Sequence, residues 1–231
     1  MEMTMNYGYL VLFGAIALVS YIVQLNLKRK IERYSKERLP SGLRGCDVAA
    51  RMLAQNGLSD VKITQIDGVL TDHYNPANRT VNLSKDVYYG NNVAAVSVAA
   101  HECGHAIQHA TAYSFLKMRS DLVPVVSLAS KVMPWLLLGG ILTIEVFPFL
   151  MLAGIVLFAC TTLFSFVTLP VEIDASRRAI AWLNRAGITD VATHDDAKDA
   201  LRAAAYTYVV AALSSLATLI YYIIIFMGRR D

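Results

Sequence analysis

Four long apolar runs constrain this chain more than any other sequence feature. They cover residues 7–25, 122–142, 146–169 and 206–227, and each is close to the roughly 20 residues that a helix needs to cross a bilayer. Lys131 is the one charged residue inside them. Of all residues, 55% are hydrophobic and 17% are charged, whereas soluble domains have about 45–50% and 25%. We therefore predict a mainly α-helical membrane protein with about four transmembrane helices, and we exclude a large soluble enzyme.

The charges around the first apolar run predict its orientation. Seven basic residues follow the run within positions 28–44, and no basic residue precedes it. A signal peptide has the opposite arrangement, so we predict an uncleaved helix whose C-terminal side is cytoplasmic. Four spans then place residues 27–121 and 170–205 in the cytoplasm and both termini outside. Arg229 and Arg230 weakly oppose this orientation.

The polar segments between the runs are predicted to form a small cytoplasmic α+β element. Its expected parts are helices over 41–54 and 93–112 and strands over 61–66, 69–73 and 80–83. Asn91 or Asn92 is expected to cap the second helix, and Thr193 to Asp196 fits a capping box that opens the last helix. The element is too short for a core of its own, so we expect it to pack on the membrane helices in one domain over residues 1–231.

The motif His101-Glu102-Cys103-Gly104-His105 carries the strongest chemical signal. On a helix, a spacing of four residues turns two side chains by about 40° and separates them by about 6 Å, so both imidazoles can reach one metal ion. The glutamate beside the first histidine can then take a proton from a zinc-bound water. Cys103 is expected to pack in the interior, because it lies away from the histidine face.

A third ligand is expected on the segment that follows the third apolar run. His109 continues the spacing of four, but it stands about 12 Å along the helix from His101 and cannot share one zinc ion with it. Glu172 and Asp174 lie about 200° apart on a helix, so at most one of them can face the metal. We predict Glu172, because its face continues through small and apolar residues, namely Ser176, Ala179 and Leu183. Asp174 is expected on a solvated face, paired with Arg178.

Four blocks of the sequence resemble a known family. The N-terminal anchor, DHYNPANRTVNLS, AAHECGHAIQHA and LPVEIDASRRA are similar to the YugP-like bacterial membrane zinc metallopeptidases, and more distantly to the HtpX and prenyl-protein protease gluzincins. The resemblance implies a gluzincin-type fold around the motif helix and a Zn²⁺ cofactor. It also implies zinc ligands at His101, His105 and Glu172, a general base at Glu102, and a place in the bacterial cytoplasmic membrane.

One position departs from the distant relatives. They usually carry an aspartate four residues after the ligand glutamate, where this chain has Ser176, while Asp174 lies only two residues after it. The residue that supports the metal ligands is therefore left open by the sequence.

The leading functional hypothesis is an integral-membrane zinc endopeptidase that acts on a peptide or protein substrate. Residues 74–84 could offer a strand edge to an extended peptide, and His73 could help to bind it. The alternative is a non-catalytic zinc-binding adaptor or assembly factor, which would not need Glu102. A site-2-type intramembrane protease is disfavoured, because Asp67-Gly68 precedes the motif and lies in a predicted turn. A net charge of +3 gives no reason to expect a nucleic-acid partner.

Overall fold

A computed structural model describes residues 7–228 of the chain, and Arg229 and Arg230 lie outside this range. The elements in chain order are α1 (Tyr7–Tyr34), α2 (Gly45–Gln55), β1 (Lys62–Ile66), β2 (His73–Asn75), β3 (Thr80–Ser84), α3 (Lys85–Tyr89), α4 (Val93–Ala110), α5 (Ser114–Leu142), α6 (Pro148–Arg185) and α7 (Val191–Gly228).

Four of these helices, α1, α5, α6 and α7, are long and apolar enough to cross a membrane. Their most apolar windows have mean hydropathies of 1.7 to 2.3, and between 0 and 28% of each window is buried inside the protein. Most of the apolar surface of these windows is thus left uncovered by the protein itself, which is consistent with helices that face lipid. The structure thus confirms a mainly helical protein with four candidate spans and a small sheet.

The α5–α6 hairpin brings the chain back toward α4. A Cβ atom at Gly140 of α5 would lie 2.5 Å from Cα of Met151 on α6, so the two helices pack closely because this position has no side chain. The helix α6 continues without interruption through Pro170 to Arg185. Its C-terminal half therefore extends beyond the apolar run and packs against α4.

The helix α4 lies at the centre of the polar half of the molecule. Its small residues pack against α2, the sheet, α6 and α7 in one buried cluster. In the sheet, β3 lies between β1, to which it is parallel, and β2, to which it is antiparallel. Cys103 is fully buried with Sγ 3.7 Å from the Ala49 carbonyl oxygen, and burial raises the pKa of its thiol. It is a packing residue, as expected.

The predicted strand over 69–73 is wrong, since β2 begins at His73. Val69 and Leu70 are exposed, and Leu70 has φ of +56°, which no strand residue adopts. The turn at Asp67-Gly68 continues into this segment, and the Thr71 hydroxyl donates to the Asp67 carbonyl oxygen. The apolar residues Val69 and Leu70 therefore suggested a strand in a segment whose backbone and hydrogen bonds form a turn.

Two helix starts also differ from the predictions, while one is confirmed. The last helix begins at Val191, and its capping box joins Asp190 to Thr193 rather than Thr193 to Asp196. The Thr193 N–H donates to Asp190 Oδ1, and the Asp190 N–H donates to Thr193 Oγ1, both at 2.9 Å. The helix expected over 41–54 begins only at Gly45. Asn92 caps α4 as predicted, since its Oδ1 accepts the Ala95 N–H.

Candidate metal centre

Two helices bring the three predicted ligands together. His101 and His105 lie one turn apart on α4, and Glu172 projects toward them from α6. Glu172 Oε2 is 3.2 Å from Nε2 of His101 and 3.6 Å from Nε2 of His105. One ligand atom from each residue falls within 4.8 Å of the other two.

The donor set fits a zinc ion. Tetrahedral zinc with bonds of about 2.1 Å holds its ligand atoms about 3.4 Å apart, close to the two measured separations. Two imidazole nitrogens and one carboxylate oxygen are also the chemical set found in catalytic zinc sites that keep one position open.

The second nitrogen of each histidine has a hydrogen-bond partner that fixes the ring. Nδ1 of His101 lies 3.1 Å from Ser176 Oγ, and Nδ1 of His105 lies 3.0 Å from Gln108 Oε1. The Gln108 oxygen can only accept, so it favours a proton on Nδ1 of His105 and a lone pair on Nε2, while the Ser176 hydroxyl can donate to Nδ1 of His101 or accept from it. Ser176, at the position that the sequence left open, thus contacts His101, one of the two predicted ligand histidines.

Gln108 also ties the motif helix to α6. Its Nε2 donates to the Val171 carbonyl oxygen at 2.8 Å and to Asp174 Oδ2 at 2.9 Å, and the side chain is fully buried. Asp174 forms the predicted pair with Arg178, at 2.6 Å, but it is not simply solvated, since it also accepts from Gln108. The sequence reasoning missed Gln108, although its i+3 spacing from His105 could have indicated it.

Glu102 is held by the edge strand. Its Oε2 accepts the backbone N–H of Tyr74 in β2 at 3.0 Å, and the side chain is 7% exposed. The Tyr74 hydroxyl lies 2.8 Å from Nδ1 of His109. His109 therefore contacts the strand, and it is not part of the three-residue cluster.

Two further polar side chains border the cluster from α5 and α7. Arg119 Nη1 donates to Glu172 Oε1 at 3.2 Å, and Tyr208 borders the same cleft. The sequence reasoning named neither, and no motif marks them; each lies within three residues of the start of an apolar run. With Oε1 bound to Arg119, the other oxygen of Glu172 faces the histidines.

The electrostatic environment favours a cation at the centre. Burial disfavours protonation of His105, but the adjacent carboxylates of Glu172 and Glu102 outweigh burial and raise the pKa of His105 above its ordinary value. Carboxylates that stabilise a proton on the imidazole will also stabilise a divalent ion between the same atoms.

Comparison with known proteins identifies the family. The family described as "Putative neutral zinc metallopeptidase" matches residues 9–227. The chain belongs to this family. It is 43% identical over 213 residues to "Putative membrane protease YugP" of Bacillus subtilis (strain 168), a match that covers 92% of this chain and 94% of that protein. No solved structure matches the chain significantly. Membership supports a zinc ion as the cofactor of this family member and a peptide as its substrate.

The two helices that carry the ligands approach closely at a glycine. A Cβ atom at Gly104 would lie 2.7 Å from the carbonyl oxygen of Ala175 on α6, and this backbone cannot move independently of Glu172. We expect Gly104→Ala to force α4 and α6 apart, to lower zinc occupancy several-fold and to destabilise the fold by about 1–3 kcal/mol. Zinc analysis by mass spectrometry and thermal unfolding measure the two effects.

The matched control is Gly14→Ala in α1, where a Cβ would have no atom within 4 Å. It should leave zinc content unchanged and should not lower the unfolding temperature, because alanine is the better helix former. Full zinc occupancy in Gly104→Ala would contradict the requirement for this close approach.

Proposed function

We propose that the protein is an integral-membrane zinc endopeptidase of the gluzincin type. His101, His105 and Glu172 would hold the zinc ion, and Glu102 would act as general base. The observation that carries the proposal is the convergence of the three donor atoms within 4.8 Å, with a buried carboxylate from the adjacent residue beside them. Family membership supports the same reading.

When bound, zinc supplies Lewis acidity to the scissile carbonyl and lowers the pKa of the attacking water. Glu102 takes the proton from that water and delivers it to the leaving amine. We assign this transfer to Oε1, since Oε2 already accepts the Tyr74 N–H. The hydrogen bond holds the carboxylate in place while its other oxygen exchanges the proton.

The edge strand offers a place for the substrate main chain. β2 is an outer strand of the sheet, and Tyr74 directs its N–H away from β3 toward Glu102. His73, Tyr74 and Pro76 line the cleft next to the cluster. An extended peptide bound in this cleft would lie beside the cluster of His101, His105 and Glu172.

Metal removal tests the proposal. We expect purified protein to contain about one zinc per chain and to cleave a mixture of proteome-derived peptides. The chelator 1,10-phenanthroline should remove both the zinc and the cleavage, and added zinc should restore both, whereas the non-chelating 1,7 isomer should have no effect. Zinc-loaded protein that cleaves nothing would contradict the peptidase and favour the alternative of a non-catalytic zinc-binding adaptor.

We further propose that the protein resides in the bacterial cytoplasmic membrane with the metal centre on the cytoplasmic side. The support is the cluster of basic residues within positions 28–44, together with the placement of His101 and Glu172 in one centre, which requires their segments to share one side.

Cysteine labelling tests this orientation in a cysteine-free background. We expect single cysteines at Asp60 and Gly187 to resist an impermeant maleimide applied to intact cells, because both positions would face the cytoplasm. A cysteine at Glu145, in the exposed connection between α5 and α6, should be labelled and serves as the control. Strong external labelling at Asp60 or Gly187 would contradict the orientation.

A further inference from the structure

A small apolar cavity opens directly beside the metal centre. Its volume is about 160 Å³, and His101, Glu102 and Glu172 form part of its wall. The rest of the lining is mainly apolar, with Leu70, Val98, Leu201, Ala204 and Ala205, and it is completed by Asp72, Ser176 and Tyr208. The cavity is therefore continuous with the place where the scissile bond must lie.

The spacing of residues on α7 explains why the cavity has room for a side chain of the substrate. Leu201, Ala204, Ala205 and Tyr208 follow one another at i, i+3, i+4 and i+7, so they share one face of the helix. The two alanines between the larger residues leave the hollow. On α4, Val98 lies one turn before His101 and faces the same space.

The exposed loop before β2 supplies the rim. Leu70 is 58% exposed and has φ of +56°, a conformation that is unfavourable for a bulky residue. This backbone geometry keeps Leu70 out of β2 and places it at the mouth of the cavity.

The opposite side of the centre has a different chemistry. A second cavity of about 270 Å³ shares Glu102 and Glu172 with the first, but His73, Arg119 and Ser120 contribute to its lining. A peptide that crosses the cluster would thus meet a mainly apolar pocket in one cavity, and in the other a cleft that combines charged and polar groups with Leu116, Val123 and Pro76.

We propose that the apolar cavity is the specificity pocket for an aliphatic side chain of the substrate residue next to the scissile bond. This inference rests on the proposed peptidase function. An apolar cavity of about 150 Å³ holds a benzene molecule, so a leucine, isoleucine or methionine side chain fits. Asp72 also borders the cavity, and its two carboxylate oxygens accept the Ser84 N–H at 2.7 Å and the Ser84 hydroxyl at 3.1 Å, which fixes the carboxylate to the end of β3.

Two pairs of hydroxamates probe the pocket without any cleavage. N-acetyl-leucine hydroxamate carries an isobutyl group on the first carbon from the hydroxamate carbonyl, and 2-isobutylsuccinyl 4-monohydroxamate carries it on the second, so the two compounds present the same group at different positions relative to the zinc-binding group. Each is compared with the matched compound that lacks the isobutyl group, on zinc-loaded full-length protein in detergent. We expect the isobutyl group to tighten binding about tenfold or more in one pair and to have little effect in the other.

Filling the pocket should remove this difference. We expect Ala204→Leu or Ala205→Leu to abolish the gain from the isobutyl group while zinc content stays unchanged. In peptide-mixture cleavage, the same variants should shift the preferred residue on one side of the cut from leucine, isoleucine and methionine to glycine and alanine. The matched control is Ala192→Leu, at an exposed position in the first turn of α7 on the opposite side of the helix from Leu201, which should behave as the parent protein.

The outcomes separate the pocket from the proposed function. Hydroxamates that bind equally with and without the isobutyl group, in a protein that cleaves peptides, would overturn the pocket and leave the peptidase standing. If the isobutyl group still tightened binding in both Ala204→Leu and Ala205→Leu, the pocket assignment would likewise be overturned. Protein that binds no zinc and no hydroxamate would overturn the peptidase and the pocket together.

Discussion

Replacing Glu102 with glutamine is expected to abolish peptide cleavage while zinc stays bound. Glutamine has the same shape, and its amide oxygen can still accept the Tyr74 N–H that Glu102 Oε2 accepts now. It cannot take a proton at neutral pH, so the general base is lost. We expect kcat/KM to fall by a factor of about 10²–10⁴ or more, with zinc content and unfolding temperature near those of the parent.

The control for this variant is Glu145→Gln, which makes the same chemical change on an exposed residue of the α5–α6 connection. It should retain full activity. Parent-level cleavage by Glu102→Gln would contradict a base at this position, and loss of zinc from it would mean that Glu102 contributes to the metal site directly.

The sequence predicted those parts of the molecule that depend on periodicity. Apolar runs indicated the four long helices, because a bilayer requires a minimum length of uncharged helix. The face of Glu172 was predicted from the same geometry: Ser176, Ala179 and Leu183 are buried in the structure, and this stripe packs α6 against α4. Regular helix geometry was thus sufficient to predict that Glu172 lies beside His101, although the two residues are 71 positions apart in the chain.

The contacts that support the site depend on how helices cross, which the sequence does not encode locally. Arg119 reaches Glu172 from α5, and Gln108 reaches Val171 and Asp174 from α4; both depend on the angle and distance between helices. The hydrogen bond to Glu102 comes from the backbone of Tyr74, and a backbone donor leaves no residue-specific signal in a sequence.

The choice of the third ligand is tested by a pair of alanine variants. We expect Glu172→Ala to weaken zinc binding by at least about a hundredfold and to abolish cleavage, because Glu172 Oε2 is the one acidic oxygen that completes the cluster with the two histidines in the described part of the chain. We expect His109→Ala to keep zinc and activity. Its Nδ1 contacts the Tyr74 hydroxyl, and its position lies two helical turns beyond His101.

Competition with a chromophoric zinc chelator measures the affinity of both variants, and thermal unfolding shows whether each is folded. Glu172→Ala also leaves Arg119 without its carboxylate partner, so Glu172→Gln is the more specific variant. The glutamine amide oxygen can still accept from Arg119, but the substitution removes the negative charge that favours binding of the ion. If zinc binding depends on charge at this position, Glu172→Gln and Glu172→Ala should lose it alike. Retained zinc in both variants, with loss in His109→Ala, would show that the third ligand lies on the motif helix.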